Sequence, residues 1–209
     1  VRIWGRGVDR SIFTPAARDP HWRRGQGYGD DETVVLFFGR LVVEKGLDVF
    51  EQAVALLRAQ GHRVRPLVVG EGPAGRVGEA VFTGHLEGRA LGRAIASADV
   101  LINPSVTEAF GNVNLEAMAS GVAVVSADVG SAQALIAHGR TGLLVPPADP
   151  AAYAEAVARL IRDPAQRRAI GGAAAQAASA YDWPTILDAV IDTYRLAGAM
   201  PAAAQTVPQ

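Results

Sequence analysis

Glu108 and Glu116 stand on either side of a short run, Ala109 to Asn112, in this 209-residue chain. An ionised carboxylate only accepts hydrogen bonds, and a sugar hydroxyl donates them. Backbone amides that open a helix suit a phosphate or another anion. Together they ask for a ligand with phosphate and polyol parts, and a nucleotide sugar has both. Two cations, Arg40 and Lys45, follow an earlier strand pattern. Arginine grips phosphate as a fork and lysine as a point charge, so the pair suits a diphosphate. The same residues also describe a capped helix with two surface acids and two solvated cations, and spacing alone does not separate these readings.

The elements that must position these groups are legible around them. Val100-Leu101-Ile102 reads as a buried strand stopped at Asn103-Pro104, because proline cannot continue a central ladder. A polar loop, Ser105 to Ala109, leads into a helical pattern from Phe110-Gly111-Asn112 to Ser120-Gly121, where glycine stops it. Val122 to Val125 is the next strand. A parallel pair joined this way crosses over right-handed, and ligands gather at the carboxyl ends of its strands. Val34 to Phe38 is a continuous β-branched and aromatic run, a strand buried on both faces. Gly39-Arg40-Leu41 leaves it, and Lys45-Gly46 opens a helix carrying Leu47, Phe50, Val54 and Leu57 at helical spacing. Arg40 and Lys45 are thereby expected at the same carboxyl edge as Glu108.

Arg65 to Val69 and Ala80 to Thr83 read as strands, with Ala74 to Glu79 too short for a helix between them. A helix with Leu91, Ile95 and Ala98 inward follows Gly84. Ser131 is expected to cap a short helix through Ala137, and Leu143 to Val145 is the last strand. Pro150 opens an amphipathic helix with Tyr153, Val157 and Leu160 inward. An alanine-rich helix, Arg167 to Ala180, and a final one, Thr185 to Leu196 with Ile186, Val190 and Tyr194 aligned, complete the pattern. Six strands alternating with helices predict an α/β fold, a Rossmann-like open parallel sheet with helices on both faces. Residues 1–32 are expected to form a leading segment, with a short strand at Arg2-Ile3-Trp4 and a loose stretch from Ala16 to Glu32. Residues 33–197 would form the nucleotide-sugar-binding domain, and 198–209 a flexible tail.

Composition narrows the classes. Lys plus Arg is 20 against 21 acids, so no global field draws nucleic acid to the chain. Without cysteine there are no disulfides or thiolate metal sites, which fits a reducing cytoplasm. No apolar run approaches the roughly 20 residues that span a bilayer. GxGxxG is absent after the first strand, and the formal match at Gly70 to Gly75 follows the second strand with proline inside it. No GxxxxGK[ST] and no His or Cys cluster occurs, so neither a P-loop ATPase nor a metal site is expected.

The stretch EAFGNVNLEAMASGVAVV, from Glu108 to Val125, resembles the signature of retaining GT-B glycosyltransferases. The resemblance continues in Gly39-Arg40-Leu41 with Glu44-Lys45-Gly46, in Val69-Gly70-Glu71-Gly72-Pro73, in Phe82-Thr83-Gly84, and in Gly139 to Val145. It implies the C-terminal, donor-binding half of a GT-B fold, cut from a longer chain that also carries an N-terminal acceptor domain. It implies that Arg40 and Lys45 bind the donor diphosphate and that Glu108 holds hydroxyls of the transferred sugar. Glu116 would take the ribose and Leu86 would pack on the base. Gly39, Ala109, Phe110, Gly111, Asn112 and Leu115 would complete the donor site. The implied donor is a GDP-sugar or UDP-sugar carrying mannose or glucose, with no further cofactor, no metal and retention of configuration. The partner would be the acceptor domain of the same protein, which leaves room for peripheral membrane association. An epimerase of the same architecture and a non-catalytic nucleotide-binding module are the other readings.

Overall fold

The computed structural model describes residues 7–74, 77–108 and 110–199. Its elements run α1 (Pro20–Gly25), β1 (Thr33–Phe38), α2 (Leu47–Ala59), β2 (Val64–Val69), β3 (Val81–Phe82), α3 (Gly88–Ala96) and β4 (Val100–Asn103). They continue as α4 (Asn112–Ala119), β5 (Ala123–Ala127), α5 (Gly130–Leu135), β6 (Leu143–Val145), α6 (Pro150–Arg162), α7 (Pro164–Ala178) and α8 (Trp183–Ala199). The six strands form one parallel sheet in the order β3-β2-β1-β4-β5-β6. This is the Rossmann-like α/β sheet expected from the alternation of strands and helices.

Each strand feeds two half-cores, one on either face. Val35 and Phe37 of β1 pack with Val100, Ile102 and Val125 under α2 and α6, where Phe50, Leu57, Tyr153 and Leu160 close the layer. Val34, Leu36 and Phe38 turn the other way, toward Ile95, Leu115, Met118 and Ala174 of α3, α4 and α7. This double burial is why the strands read as unbroken apolar runs. Each large side chain so buried contributes about 1.5–3 kcal/mol. The small residues of α7 serve close approach: a β-carbon on Gly171 would lie 2.2 Å from the Gly121 carbonyl oxygen.

Strand order reverses at β1, which has β2 on one side and β4 on the other. Loops leaving neighbouring strands diverge at such a point and open a crevice at the carboxyl edge.

The structure corrects several expectations. The stretch from Ala16 to Glu32 is not loose throughout. It holds α1, begun by Pro20 and capped by Asp19, whose carboxylate accepts the amides of His21 and Trp22. Six residues are too few to show helical periodicity, but the Asp-Pro start was a readable signal. Ser131 does not cap α5. The cap position is Val129, and no side chain bonds there. The helix ends at Leu135 because Ile136 turns extended and buries its side chain in the core. The final helix is longer than expected, starting at Trp183 and taking in residues 198 and 199. Arg2 to Trp4 and residues 200–209 lie outside the described residues. Along α8, Trp183, Leu187, Ile191 and Tyr194 are exposed apolar side chains. Val8 bridges Asp182 ahead of this helix, tying the leading segment to the far end of the chain. Among the described residues, no helix is long and apolar enough to cross a membrane.

Candidate functional site

The loops leaving β1, β2 and β3 are stitched together by backbone bonds. Gly39 N donates to Val69 O (3.0 Å), Gly70 N to Gly84 O (2.9 Å) and Leu41 N to Glu71 O (2.9 Å). Gly70 has a positive φ of 139°, and a β-carbon there would lie 1.9 Å from the Gly39 oxygen. The two turns thus approach more closely than side chains permit, which carries Arg40 and Glu71 to one opening. That opening is a cleft of about 290 Å³, lined among others by Gly39, Arg40, Glu71, Leu86, Val113 and Glu116. Arg40 is exposed, and among the described residues no acid pairs with it.

The third wall is α4. Gly111 precedes it in the left-handed region at φ 82°, and no side chain caps the helix. Leu115 is the first amide to reach a helical carbonyl, that of Gly111 at 3.0 Å. Among the described residues nothing accepts the Asn112, Val113 and Asn114 amides, which lie at the positive end of the helix dipole and suit an anion. A buried polar chain anchors this helix end. Asn103 Nδ2 donates to Asn114 Oδ1 (2.9 Å), and Asn114 Nδ2 donates to Ser126 Oγ (3.1 Å), joining β4, α4 and β5. Asn103 Oδ1 also accepts the Ser105 amide at 3.3 Å, at the start of the loop that carries Glu108.

Glu116 lies one turn into α4 with its carboxyl at the cleft. Burial pushes its pKa up from 4.5 to about 7. With the folded-state value above the unfolded one, this group favours the folded chain fully below about pH 4.5, and that advantage is lost as pH rises through about 7. Glutamine carries no charge to desolvate. Glu116→Gln should therefore stabilise the chain at pH 8 by about 2 kcal/mol, allowing for partial exposure, and leave it nearly unchanged at pH 4. Thermal unfolding at the two pH values checks this. Equal midpoints for wild type and variant at pH 8 would remove the desolvation argument.

Lys45 and Glu108 meet directly, with Nζ 2.5 Å from Oε1 and side chains only 16% and 15% exposed. Lys45 closes a short 3-10 turn after β1, and Gly46 beyond it is left-handed. Neither Lys45 nor Glu108 is part of the cleft lining.

The residues expected to form a site are thus arranged in two groups. Gly39, Arg40, Leu86 and Glu116 share the cleft, and Lys45 joins Glu108. Gly111 and Asn112 form the start of α4, and Phe110 packs edge-on to Tyr181 at 6.3 Å. Leu115 is 1% exposed, with its side chain in the core. Ala109 lies outside the described residues. Sequence reasoning quoted Glu71 only within a motif, and it assigned no site role to Glu71 or His85. The His85 amide donates to Glu71 Oε1 (3.3 Å), and the Glu87 carboxylate on its ring raises the imidazole pKa. It also missed Asn114, although a polar residue one turn ahead of the buried Ala117 and Met118 was a signal that could have been used.

A sequence profile for glycosyl transferases group 1 matches residues 32–163. The chain is 41% identical over 201 residues to the GDP-mannose-dependent alpha-mannosyltransferase of Mycolicibacterium smegmatis, covering 93% of this chain and 51% of that protein. It is 36% identical over 194 residues to the sulfoquinovosyl transferase of Arabidopsis thaliana, covering 88% and 37% respectively. The crystal structure of Anabaena HepE in complex with UDP matches with a TM-score of 0.83 at 26% identity, over 93% of this chain and 57% of that one. The chain therefore spans about half or less of the length of these curated relatives. The matched profile runs from the start of β1 through α6 and contains Arg40, Lys45, Glu71, Glu108 and Glu116, so this chain belongs to the glycosyl transferases group 1 family.

Proposed function

We propose that this chain is the donor-binding half of a retaining hexosyltransferase, which moves a mannosyl or glucosyl group from a nucleoside diphosphate sugar to an acceptor hydroxyl. The observation that carries this reading is the uncapped start of α4, flanked by Glu108 and Glu116 and facing the turn that bears Arg40. The open amides take the diphosphate, and Arg40 and Lys45 offset the negative charge that builds on the leaving phosphate oxygen. Glu116 accepts hydrogen bonds from the ribose hydroxyls, Leu86 packs on the base, and Glu108 accepts hydroxyls of the transferred sugar. The acceptor comes from a second domain, for which the exposed stripe of Trp183, Leu187, Ile191 and Tyr194 on α8 is the docking face. Any membrane association belongs to that domain.

The base we assign is guanine. The relative at 41% identity is a GDP-mannose-dependent enzyme, and this supports the choice over the UDP found with HepE. Calorimetry on this chain should show GDP binding more tightly than UDP, and failure of both to bind would overturn the reading. In the whole enzyme, NMR of the product should show the donor's anomeric configuration, formed without added divalent metal. An inverted product would exclude the mechanism.

A further inference from the structure

The amino-terminal edge of the sheet, on the side away from the donor cleft, carries a second concentration of charge that the transfer reaction does not use. Asp99, just ahead of β4, has both carboxylate oxygens engaged. Its Oδ1 accepts from Arg18 (2.7 Å), and its Oδ2 accepts from Arg23 (3.0 Å) and from the Val34 amide (2.8 Å). Arg167 and Arg168 of α7 border the same hollow, about 390 Å³ in volume, together with Arg18, Asp99, Gly121 and Gly172. Neither Arg167 nor Arg168 forms an ion pair with an acid among the described residues. Asp163, one turn earlier, spends its carboxylate on the Gln166 amide (2.9 Å), and Arg167 donates to the Leu160 carbonyl (3.2 Å).

This arrangement runs against local preference twice. Cations near the start of a helix face the positive end of its dipole, the end that favours anions. Arg167 is half-buried, and that burial, together with the guanidiniums of Arg18, Arg168 and Arg23, lowers its pKa. Four guanidiniums thus gather about one carboxylate, which is already engaged by Arg18, Arg23 and the Val34 amide. Local rules broken together are expected where a ligand restores the balance. The floor is also accessible: no atom lies within 4 Å of where a Gly172 β-carbon would stand.

We propose that this hollow binds a phosphate dianion, held by Arg18, Arg167 and Arg168, with the Arg23–Asp99 pair bracing Arg18 from behind. Guanidinium forks match pairs of phosphate oxygens, and a dianion neutralises more of the excess charge than a single carboxylate can. The phosphate is carried by a soluble ester or by the headgroup of an anionic lipid. The hollow is on the opposite edge of the sheet from the donor cleft, so the proposal stands apart from the donor reading.

Inorganic phosphate is the probe, titrated by ³¹P NMR into the full chain carrying Arg40→Gln and Lys45→Gln, so that the donor cleft does not compete. Adding Arg167→Gln and Arg168→Gln should weaken phosphate binding by about tenfold or more. In the chain with Arg40 and Lys45 intact, the two α7 changes should leave GDP binding unaltered. Arg168 is exposed, so Arg168→Gln alone should fold and still give a clear loss if Arg167→Gln impairs folding. Co-sedimentation with phosphatidylcholine vesicles, with and without phosphatidic acid, identifies the source. Binding to acidic vesicles that depends on Arg167 and Arg168 assigns a lipid headgroup, and phosphate binding without vesicle binding assigns a soluble ester. Phosphate affinity unchanged by the α7 substitutions, or no binding of phosphate or acidic vesicles at all, would overturn the proposal.

Discussion

Glu108→Gln is expected to lower kcat of the whole transferase by about 100- to 1,000-fold while changing the donor KM little. Glu108 lies in the loop after β4, its side chain 15% exposed and bonded to Lys45. In the proposed reading, a carboxylate held there, next to helix amides that take the diphosphate, lies against the transferred sugar. As the bond to the leaving oxygen stretches, the ring gains positive character, and a hydrogen bond to a full negative charge strengthens. Glutamine keeps the shape and one acceptor but loses the charge, so the loss falls on the transition state. In the same reading Glu116 meets the ribose, remote from the breaking bond, so Glu116→Gln should raise KM with a smaller effect on kcat, the mark of uniform binding. Steady-state kinetics of both variants decides. If Glu116→Gln abolished turnover while Glu108→Gln stayed mild, the two assignments would be wrong.

Lys45→Ala should weaken donor binding by about 1.5–3 kcal/mol, the range for a charge-assisted hydrogen bond, which is roughly a 10- to 150-fold rise in Kd. It should also destabilise the chain by about 1–3 kcal/mol. Removing one partner of a largely buried pair leaves the other carboxylate dehydrated and unmatched. That second effect gives the ion pair its own signature. In Lys45→Ala with Glu108→Gln no charge is stranded, so the double variant should unfold at a higher temperature than Lys45→Ala alone. Calorimetry and thermal unfolding of the four proteins in this cycle supply both readouts. Additive losses in stability would show that the contact does not operate in solution, and an unchanged donor Kd in Lys45→Ala would end its phosphate role.

Much of the frame was legible in the chain itself, because the signals are local. Val34 to Phe38 is apolar at every position, since both faces of β1 are covered, and no other class of segment that short has this reason to be so. Asn103-Pro104 ends β4 because proline cannot supply a ladder donor, and Gly121 ends α4 in the left-handed conformation that glycine adopts without strain. Tyr153, Val157 and Leu160 lie on one face of α6 at 3.6-residue spacing, and all three are fully buried. The residue types of the site were legible for the same reason, since Glu108, the glycine turn and Glu116 lie within one stretch of chain.

Tertiary structure alone decided which residues meet. β1 and β4 are neighbours in register, with Val35 opposite Val100 and Leu36 opposite Leu101, although the whole of α2, β2, β3 and α3 lies between them in sequence. That pairing brings Lys45 to Glu108 and gathers Arg40 and Glu116 into one cleft. The sequence pattern placed Arg40 and Lys45 at the same carboxyl edge as Glu108, but not which side chains pair there. The Asn103–Asn114–Ser126 chain and the Arg18–Asp99–Arg23 brace are of the same kind. Each joins separate elements through polar groups, most of them buried, that are stable only when all partners are in place. Periodicity and steric limits act over a few residues and can be read there. Strand order and buried charge pairing come from the free energy of covering both faces of the whole sheet at once, which no single stretch of the chain contains.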